Sequence, residues 1–194
     1  FNQTICFVIF AVRRPFNLIN ESSNIELLNF AIDVEYNKKN KRVHLKSKVY
    51  SLSHLEDCNP SLLKKLSGTK VANERAIAQL GCGSLGSKIC VHLARNGNNN
   101  FYLVDNDIFQ PHNNARHGLI YGWFSKKSEL LGWNLAQMGI AVKKTYEDVH
   151  KAINIKEKVL FIDSTASLSV RNLLTRAKLT GPVVNTSLYN NGRL

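Results

Sequence analysis

The sequence predicts an α/β fold: a Rossmann-like, doubly wound domain with a mainly parallel sheet, preceded by a small β-rich or α+β N-terminal segment. Three observations carry this. From residue 76 onward, short apolar runs alternate with stretches of helical periodicity. Those runs, "IAQL", "FYLVD", "VLFID" and "VVNTSLY", lack a regular polar alternation, as strands buried on both faces of a helix-covered sheet do. The spacing G-x-G-x-x-G in "GCGSLG", residues 81–86, stands where a strand hands over to a helix.

Taken in order, residues 5–12 ("ICFVIFAV") read as a buried strand. The run is too short to span a bilayer, and Arg13 and Arg14 follow it rather than precede it, which does not suit a signal peptide. Residues 32–50 alternate apolar and polar on both sides of an Asn/Lys-rich turn, the pattern of an antiparallel hairpin with one solvated face. Asn59 and Pro60 supply a cap and a first helical residue for a helix that stops at Gly68. A boundary near residue 70 follows. Residues 1–70 are expected to be a β-rich module or part of a fused neighbouring domain, and 71–194 a nucleotide-binding domain incomplete at its C-terminus. Within the latter, strands are expected at 77–80, 101–105, 159–163 and 183–189, and helices at 85–96, 125–138 and 168–178.

With 194 residues and 44% hydrophobic content, the chain can bury one α/β core and a smaller element. The formal charge of +12 is spread, about +5 over residues 1–70 and about +7 over the rest. No stripe of Lys and Arg interleaved with aromatics stands out, so anionic nucleotides and acidic partner proteins are the expected partners, and neither nucleic acid nor membrane is. Cys6, Cys58, Cys82 and Cys90 form no C-x-x-C pair, which predicts neither zinc nor a disulfide framework. Reduced thiols and a cytoplasmic location are expected, with Cys82 and Cys90 as small packing residues.

The chemistry concentrates at 81–127. Gly81 is placed for a tight turn, Gly83 for close approach of backbone to a phosphate, and Gly86 for packing of the helix on the sheet. Asp105 follows Gly86 by 19 residues at a strand end, where a carboxylate accepts from ribose hydroxyls. NAD and ATP fit this equally. The next stretch, "DNDIFQPHNNARHG", adds Asp107, Asn113, Arg116 and His117, and Lys126 and Lys127 stand near the following helix start. Each cation near a triphosphate contributes on the order of 4 kcal/mol at contact distance and an effective dielectric of 20. Nucleotidyl transfer requires such groups, whereas hydride transfer does not. His112 and His117 read as polar groups of a turn, Arg171 as an anchor of its helix, and Trp123 and Trp133 as core or interface.

As an ordered set, "GCGSLGSKICVHLARNG", "LVDNDIFQPHNNARH", the lysine beyond it, and "FIDSTASLSVRN" with "GPVVNTSLYNNGR" resemble the ThiF-type, ubiquitin-activating-enzyme-like adenylyltransferases over residues 76–193. The wording is most similar to the bacterial members of ubiquitin-like conjugation systems. The resemblance implies binding of ATP with Mg²⁺ and attack on the α-phosphate by the C-terminal carboxylate of a small ubiquitin-like or sulfur-carrier protein. Gly81, Gly83 and Gly86 would line the phosphates, with Asp105 and Asp107 on the nucleotide. Asn113, Arg116 and Lys127 would neutralise charge during transfer. A homodimer is also implied.

Two departures matter. The family's metal-binding Asp falls at Ala166, so a metal would rely on Asp163 or Asp107. No cysteine follows Cys90, so the chain is expected to carry an adenylation half-site without the thioester half. Two other readings stay open: an NAD(P)-binding oxidoreductase, and a nonenzymatic, decayed or truncated nucleotide-binding interaction domain.

Overall fold

The computed structural model describes residues 2–17, 23–37, 42–44, 48–53, 55, 57–69, 75–120 and 124–188. The turn at 38–41, the expected boundary near residue 70, Trp123 and the tail from 189 lie outside them. The chain divides into two compact units, Phe1–Asp57 and Cys58–Leu194.

The first unit is an antiparallel sheet of β1 (Asn2–Arg13), β2 (Ile25–Asn37), β3 (Arg42–His44) and β4 (Val49–Leu52). β1 pairs with β2 along its full length, from Asn2 opposite Tyr36 to Arg13 opposite Ile25. β2 pairs in turn with β3 and β4. The hairpin expected at 32–50 is therefore the distal half of a larger meander, whose second strand already begins at "IELLNFA". One expectation is corrected here. The strand at 5–12 is not buried: Ile5, Phe7 and Ile9 are 63%, 72% and 63% exposed, and among the described residues of this unit only Ala31 is buried. β1 carries apolar side chains on both faces, and a single layer offers no second layer against which to bury them.

The second unit opens with α1 (Pro60–Leu66), capped as expected: the Asn59 side chain accepts from the Leu62 N–H at 2.9 Å. Then follow β5 (Ala76–Leu80), α2 (Ser84–Arg95), β6 (Phe101–Val104), β7 (Ile108–Phe109), a 3-10 helix (Pro111–Ala115), β8 (Ser125–Lys126) and α3 (Lys127–Gln137). β9 (Val142–Tyr146), α4 (Val149–Ala152), β10 (Val159–Asp163), α5 (Leu168–Arg176) and β11 (Val183–Asn185) complete it. The central sheet runs β11-β10-β5-β6-β9 with every pair parallel, so the doubly wound α/β expectation holds. The sheet grows from β5 through β6 to β9 on one side and from β10 to β11 on the other, so the strand order reverses between β5 and β10 and the topological switch point lies at their C-terminal ends.

Strand alternation distributes the core to both faces. On one, Ile77, Leu103 and Ile162 pack with Cys90, Leu131 and Leu135 of α2 and α3. On the other, Ala78, Leu80 and Phe161 pack with Ala152 of α4 and Leu174 of α5. Each fully buried Leu, Ile or Phe contributes roughly 1.5–3 kcal/mol, which fixes the strand ends that carry the site.

Three local differences from expectation have physical causes. β9 ("VKKTY") is an edge strand with exposed Lys143 and Lys144, so it lacks an apolar signature. α3 begins at Lys127 rather than 125, because Ser125 and Lys126 pair as β8 with β7. β11 keeps only Val183–Asn185, beyond which Thr186 bonds back to the Asp163 carbonyl. Among the described residues no helix is long and apolar enough to cross a membrane. All four cysteines are free, with Cys82 and Cys90 buried.

Candidate functional site

The site is built on the turn from β5 into α2. Gly81 turns the chain with φ +82°, and a Cβ there would lie 3.1 Å from the Ser164 backbone on β10's continuation. At Gly86 a Cβ would sit 1.9 Å from the Gly81 carbonyl oxygen, so only glycine lets α2 approach the strand. Gly83, the N-cap of α2, has no side-chain cap and nothing within 4 Å of a Cβ position. It faces open space. The first-turn N–H groups that follow have no intrahelical acceptor, and the positive end of the helix dipole is presented there.

Asp105, at the end of β6, grips this loop from the side. Its Oδ2 accepts from the Cys82 N–H at 2.6 Å and its Oδ1 from the Asp107 N–H at 2.8 Å. From below, the wholly buried Gln79 donates to the Gly81 carbonyl at 3.0 Å and to the Ser164 hydroxyl at 2.8 Å. Ser164 Oγ lies 2.7 Å from Thr186 Oγ1, which donates to the Asp163 carbonyl at 3.1 Å. A hydrogen-bonded chain thus joins β5, β10 and β11 under the glycine loop. The polar residue in "IAQL" was its only sequence signal.

Two cavities flank the loop. The first, about 780 Å³, is lined by Gly81, Asp105 and Asp107, by the 147–150 segment after β9, and by Ser169, Asn172 and Arg176 of α5. The second, about 450 Å³, is lined by Gly83, Ser84, His112, Asn113, Arg116, His117 and Lys127. Apart from the buried Gly86 and Asp163, which line neither, the expected site residues divide between them: Asp105, Asp107 and Gly81 on one side, Gly83, Asn113, Arg116 and Lys127 on the other. Lys127 is only 11% exposed in its side chain and meets Asp107 Oδ2 at 2.8 Å, so one ion pair stands between the two cavities. Lys126 turns elsewhere and pairs with Glu147.

The loop after β7 is held by its own backbone. Asn113 Oδ1 accepts from the Gln110 N–H at 2.8 Å in a capping box, and the Arg116 carbonyl accepts from the Ser84 hydroxyl at 2.8 Å. This second bond ties the Arg116 segment to the start of α2. His117 is buried at 9% exposure, with Nε2 2.7 Å from the Cys82 carbonyl oxygen and Nδ1 3.2 Å from the Leu119 N–H. Its ring packs edge-on against Phe109. Burial pushes its pKa below the ordinary histidine value, and Lys127 and Lys88 push the same way, while the Cys82 carbonyl bond and Asp105 oppose them. Burial likewise pushes the Cys82 thiol well up, with Cys90 and Asp105 adding to it, so this thiol is not a nucleophile near neutral pH.

Asp163 is 3% exposed, and its Oδ1 accepts from both the N–H and the hydroxyl of Thr165, at 3.0 and 2.6 Å. It is turned into its own loop and is not among the residues lining either cavity. Ala166, two positions past Ser164, is exposed with φ +54°. Among the described residues no three His, Cys, Asp or Glu side chains gather as a metal-binding group. Trp133 is 59% exposed.

No family model matches the chain. Over 92 residues it is 30% identical to the ATP-dependent ubiquitin transferase-like protein Cap2 of Vibrio cholerae, a match covering 45% of this chain and 16% of that one. Over 58 residues it is 41% identical to the uncharacterized protein y4qC of Sinorhizobium fredii, covering 29% of this chain and 10% of that one. The chain thus spans a small part of the length of the curated relatives it matches. Among solved structures, Escherichia coli MccB crystallised with succinimide superposes on 68% of this chain and 38% of its own at a TM-score of 0.50, with 19% identity. That likeness establishes the shared fold.

Proposed function

We propose that this chain is a domain of the ThiF-type, ubiquitin-activating-enzyme-like adenylyltransferases, which binds ATP across the glycine loop and adenylates the C-terminal carboxylate of a small ubiquitin-like or sulfur-carrier protein. The observation that carries this reading is the division of the site by the Asp107–Lys127 pair into a carboxylate-lined cavity and a cation-lined one, with the glycine loop between them. A nucleoside suits the first cavity, where Asp105 keeps lone pairs for a ribose hydroxyl. The second suits phosphates, since Gly83, Arg116 and Lys127 offer an N–H and two positive charges at a helix N-terminus. That Cap2 is described as ATP-dependent and ubiquitin transferase-like supports the same assignment.

In the reaction, a carboxylate oxygen of the carrier forms a bond to the α-phosphorus. The bond from that phosphorus to the bridging oxygen breaks, and pyrophosphate leaves with the electron pair. Negative charge moves toward the leaving group, so fixed cations at Arg116 and Lys127 stabilise the transition state more than the ground state. Asn113 supplies an amide at the same cavity. Magnesium, bound with the triphosphate, would screen phosphate charge. Mg²⁺ requires only one or two carboxylates when phosphates and water complete its shell. Of the two carboxylates considered, we assign this to Asp107, which lines the first cavity, rather than to the enclosed Asp163. A homodimer and a cytoplasmic setting remain part of the same proposal.

Calorimetric titration with ATP plus Mg²⁺, AMP and NADH tests it. ATP binding with Mg²⁺, AMP binding more weakly and NADH not binding is the expected series. NADH binding would replace the reading with an oxidoreductase, and no nucleotide binding would replace it with an interaction domain, which Ala166 favours.

A further inference from the structure

We infer that His117 is a positioning residue for the glycine loop: by donating from Nε2 to the Cys82 carbonyl, it fixes the peptide plane between Cys82 and Gly83 and so directs the Gly83 N–H away from the ring. The two nitrogens of the ring settle its role. A carbonyl oxygen only accepts, so the proton facing Cys82 sits on Nε2, and the Leu119 N–H donates to Nδ1. The residue is a neutral donor held at both ends, with the Phe109 ring in a T-shaped contact beside it.

The consequence follows from peptide geometry. No described peptide bond is cis, and in a trans peptide the carbonyl of one residue and the N–H of the next point in opposite directions. The preceding peptide shows the principle at work. Gln79 holds the Gly81 carbonyl on one side while the Cys82 N–H reaches Asp105 on the other. His117 does the same for the next plane. With the Cys82 carbonyl held, the Gly83 N–H projects oppositely, and among the described residues it has no acceptor. Two successive peptide planes are therefore locked by three side chains on separate elements, which leaves the Gly83 N–H oriented before any anion arrives. Preorganised donors of this kind cost no reorganisation on binding.

The inference rests on the proposed nucleotide site only for what that N–H meets. Its test uses the full chain, labelled with ¹⁵N, and the variants His117→Gln and His117→Leu. Glutamine places an amide N–H where the imidazole Nε2–H stands, and leucine fills space without a donor. Ring ¹⁵N spectra of the parent chain should show the Nε2–H tautomer. The backbone ¹⁵N order parameter of Gly83 should fall in His117→Leu and stay near the parent value in His117→Gln. ATP affinity should fall roughly tenfold in the leucine variant, the loss expected for one buried hydrogen bond, and recover to within about threefold in the glutamine variant. An Nδ1–H tautomer overturns the inference, as does a leucine variant that binds ATP and holds the Gly83 amide as rigidly as the glutamine variant. Should the leucine variant not fold, the tautomer and the glutamine variant decide. If the parent chain binds no ATP, the proposed function fails by itself, and tautomer and Gly83 order parameter still judge His117.

Discussion

Replacing Asp105 by alanine separates a ribose ligand from a structural tie, because the structure gives this carboxylate both positions. It accepts two backbone N–H groups, from Cys82 at 2.6 Å and Asp107 at 2.8 Å, and it lines the larger cavity. A hydrogen bond to a charged group contributes about 1.5–3 kcal/mol. Asp105 is half-buried, so water recovers part of each bond, and a loss of roughly 2–4 kcal/mol is expected for Asp105→Ala. In a domain of this size each kcal/mol moves the melting temperature by about 2–4 °C, so a fall of roughly 5–15 °C should be seen by differential scanning calorimetry. Loss of the bond to ribose should weaken ATP tenfold to a hundredfold beyond any effect of partial unfolding. Asp105→Asn should lie between, since its amide keeps an acceptor for one N–H and turns a donor toward the other. Measuring melting and ATP affinity on all three proteins checks the reasoning. An alanine variant that melts with the parent chain and binds ATP equally well refutes both assignments of this carboxylate.

Arg116→Ala and Lys127→Ala should weaken ATP binding by tenfold or more and leave AMP binding almost unchanged, as measured by paired titrations, because the phosphates they are assigned to are missing from AMP. Lys127→Ala also frees Asp107, so its effect on Mg²⁺ dependence should exceed that of Arg116→Ala. Ala166→Gly should raise stability by about 1 kcal/mol in urea titration, since a left-handed backbone burdens alanine and not glycine. For pH, the folded His117 pKa lies below its ordinary value, so the unfolded chain takes up the proton first. Stability from this residue is therefore complete above about pH 6.5 and is lost as pH falls from there through the folded pKa. His117→Gln should remove this share of the slope of stability against pH and leave the share from Glu147 and Glu157, whose carboxyls their lysine partners hold below the ordinary value.

What the sequence could and could not disclose follows from the range of the interactions. The strands at 76–80, 101–104 and 159–163 are buried on both faces, and such strands announce themselves as apolar runs. The glycine loop was legible because its backbone demands are local: a positive φ at Gly81 and a crowded Cβ position at Gly86. β9 was not, since a charged edge strand resembles any surface segment, and with it went the 147–150 wall of the first cavity. The reading of residues 5–12 as a buried strand failed because hydrophobicity reports a preference for burial, whereas the first unit supplies only one layer. His117 read as a turn residue because its partner is 35 positions away in sequence. Likewise, Asp105 was legible as a ligand at a strand end but not as the acceptor for the Cys82 N–H, a contact that exists only once β5 and β6 lie side by side.

The central claim is that one ATP molecule lies across both cavities, and a crystal structure of this chain with a non-hydrolysable ATP analogue and Mg²⁺ measures it most directly. The account predicts the ribose against Asp105, the triphosphate over Gly83 at the start of α2, and the terminal phosphates beside Arg116 and Lys127, with the Lys127–Asp107 bond lengthened or opened. A nucleotide confined to the first cavity, with its phosphates directed along α5 toward Arg176 and away from Gly83, would contradict it.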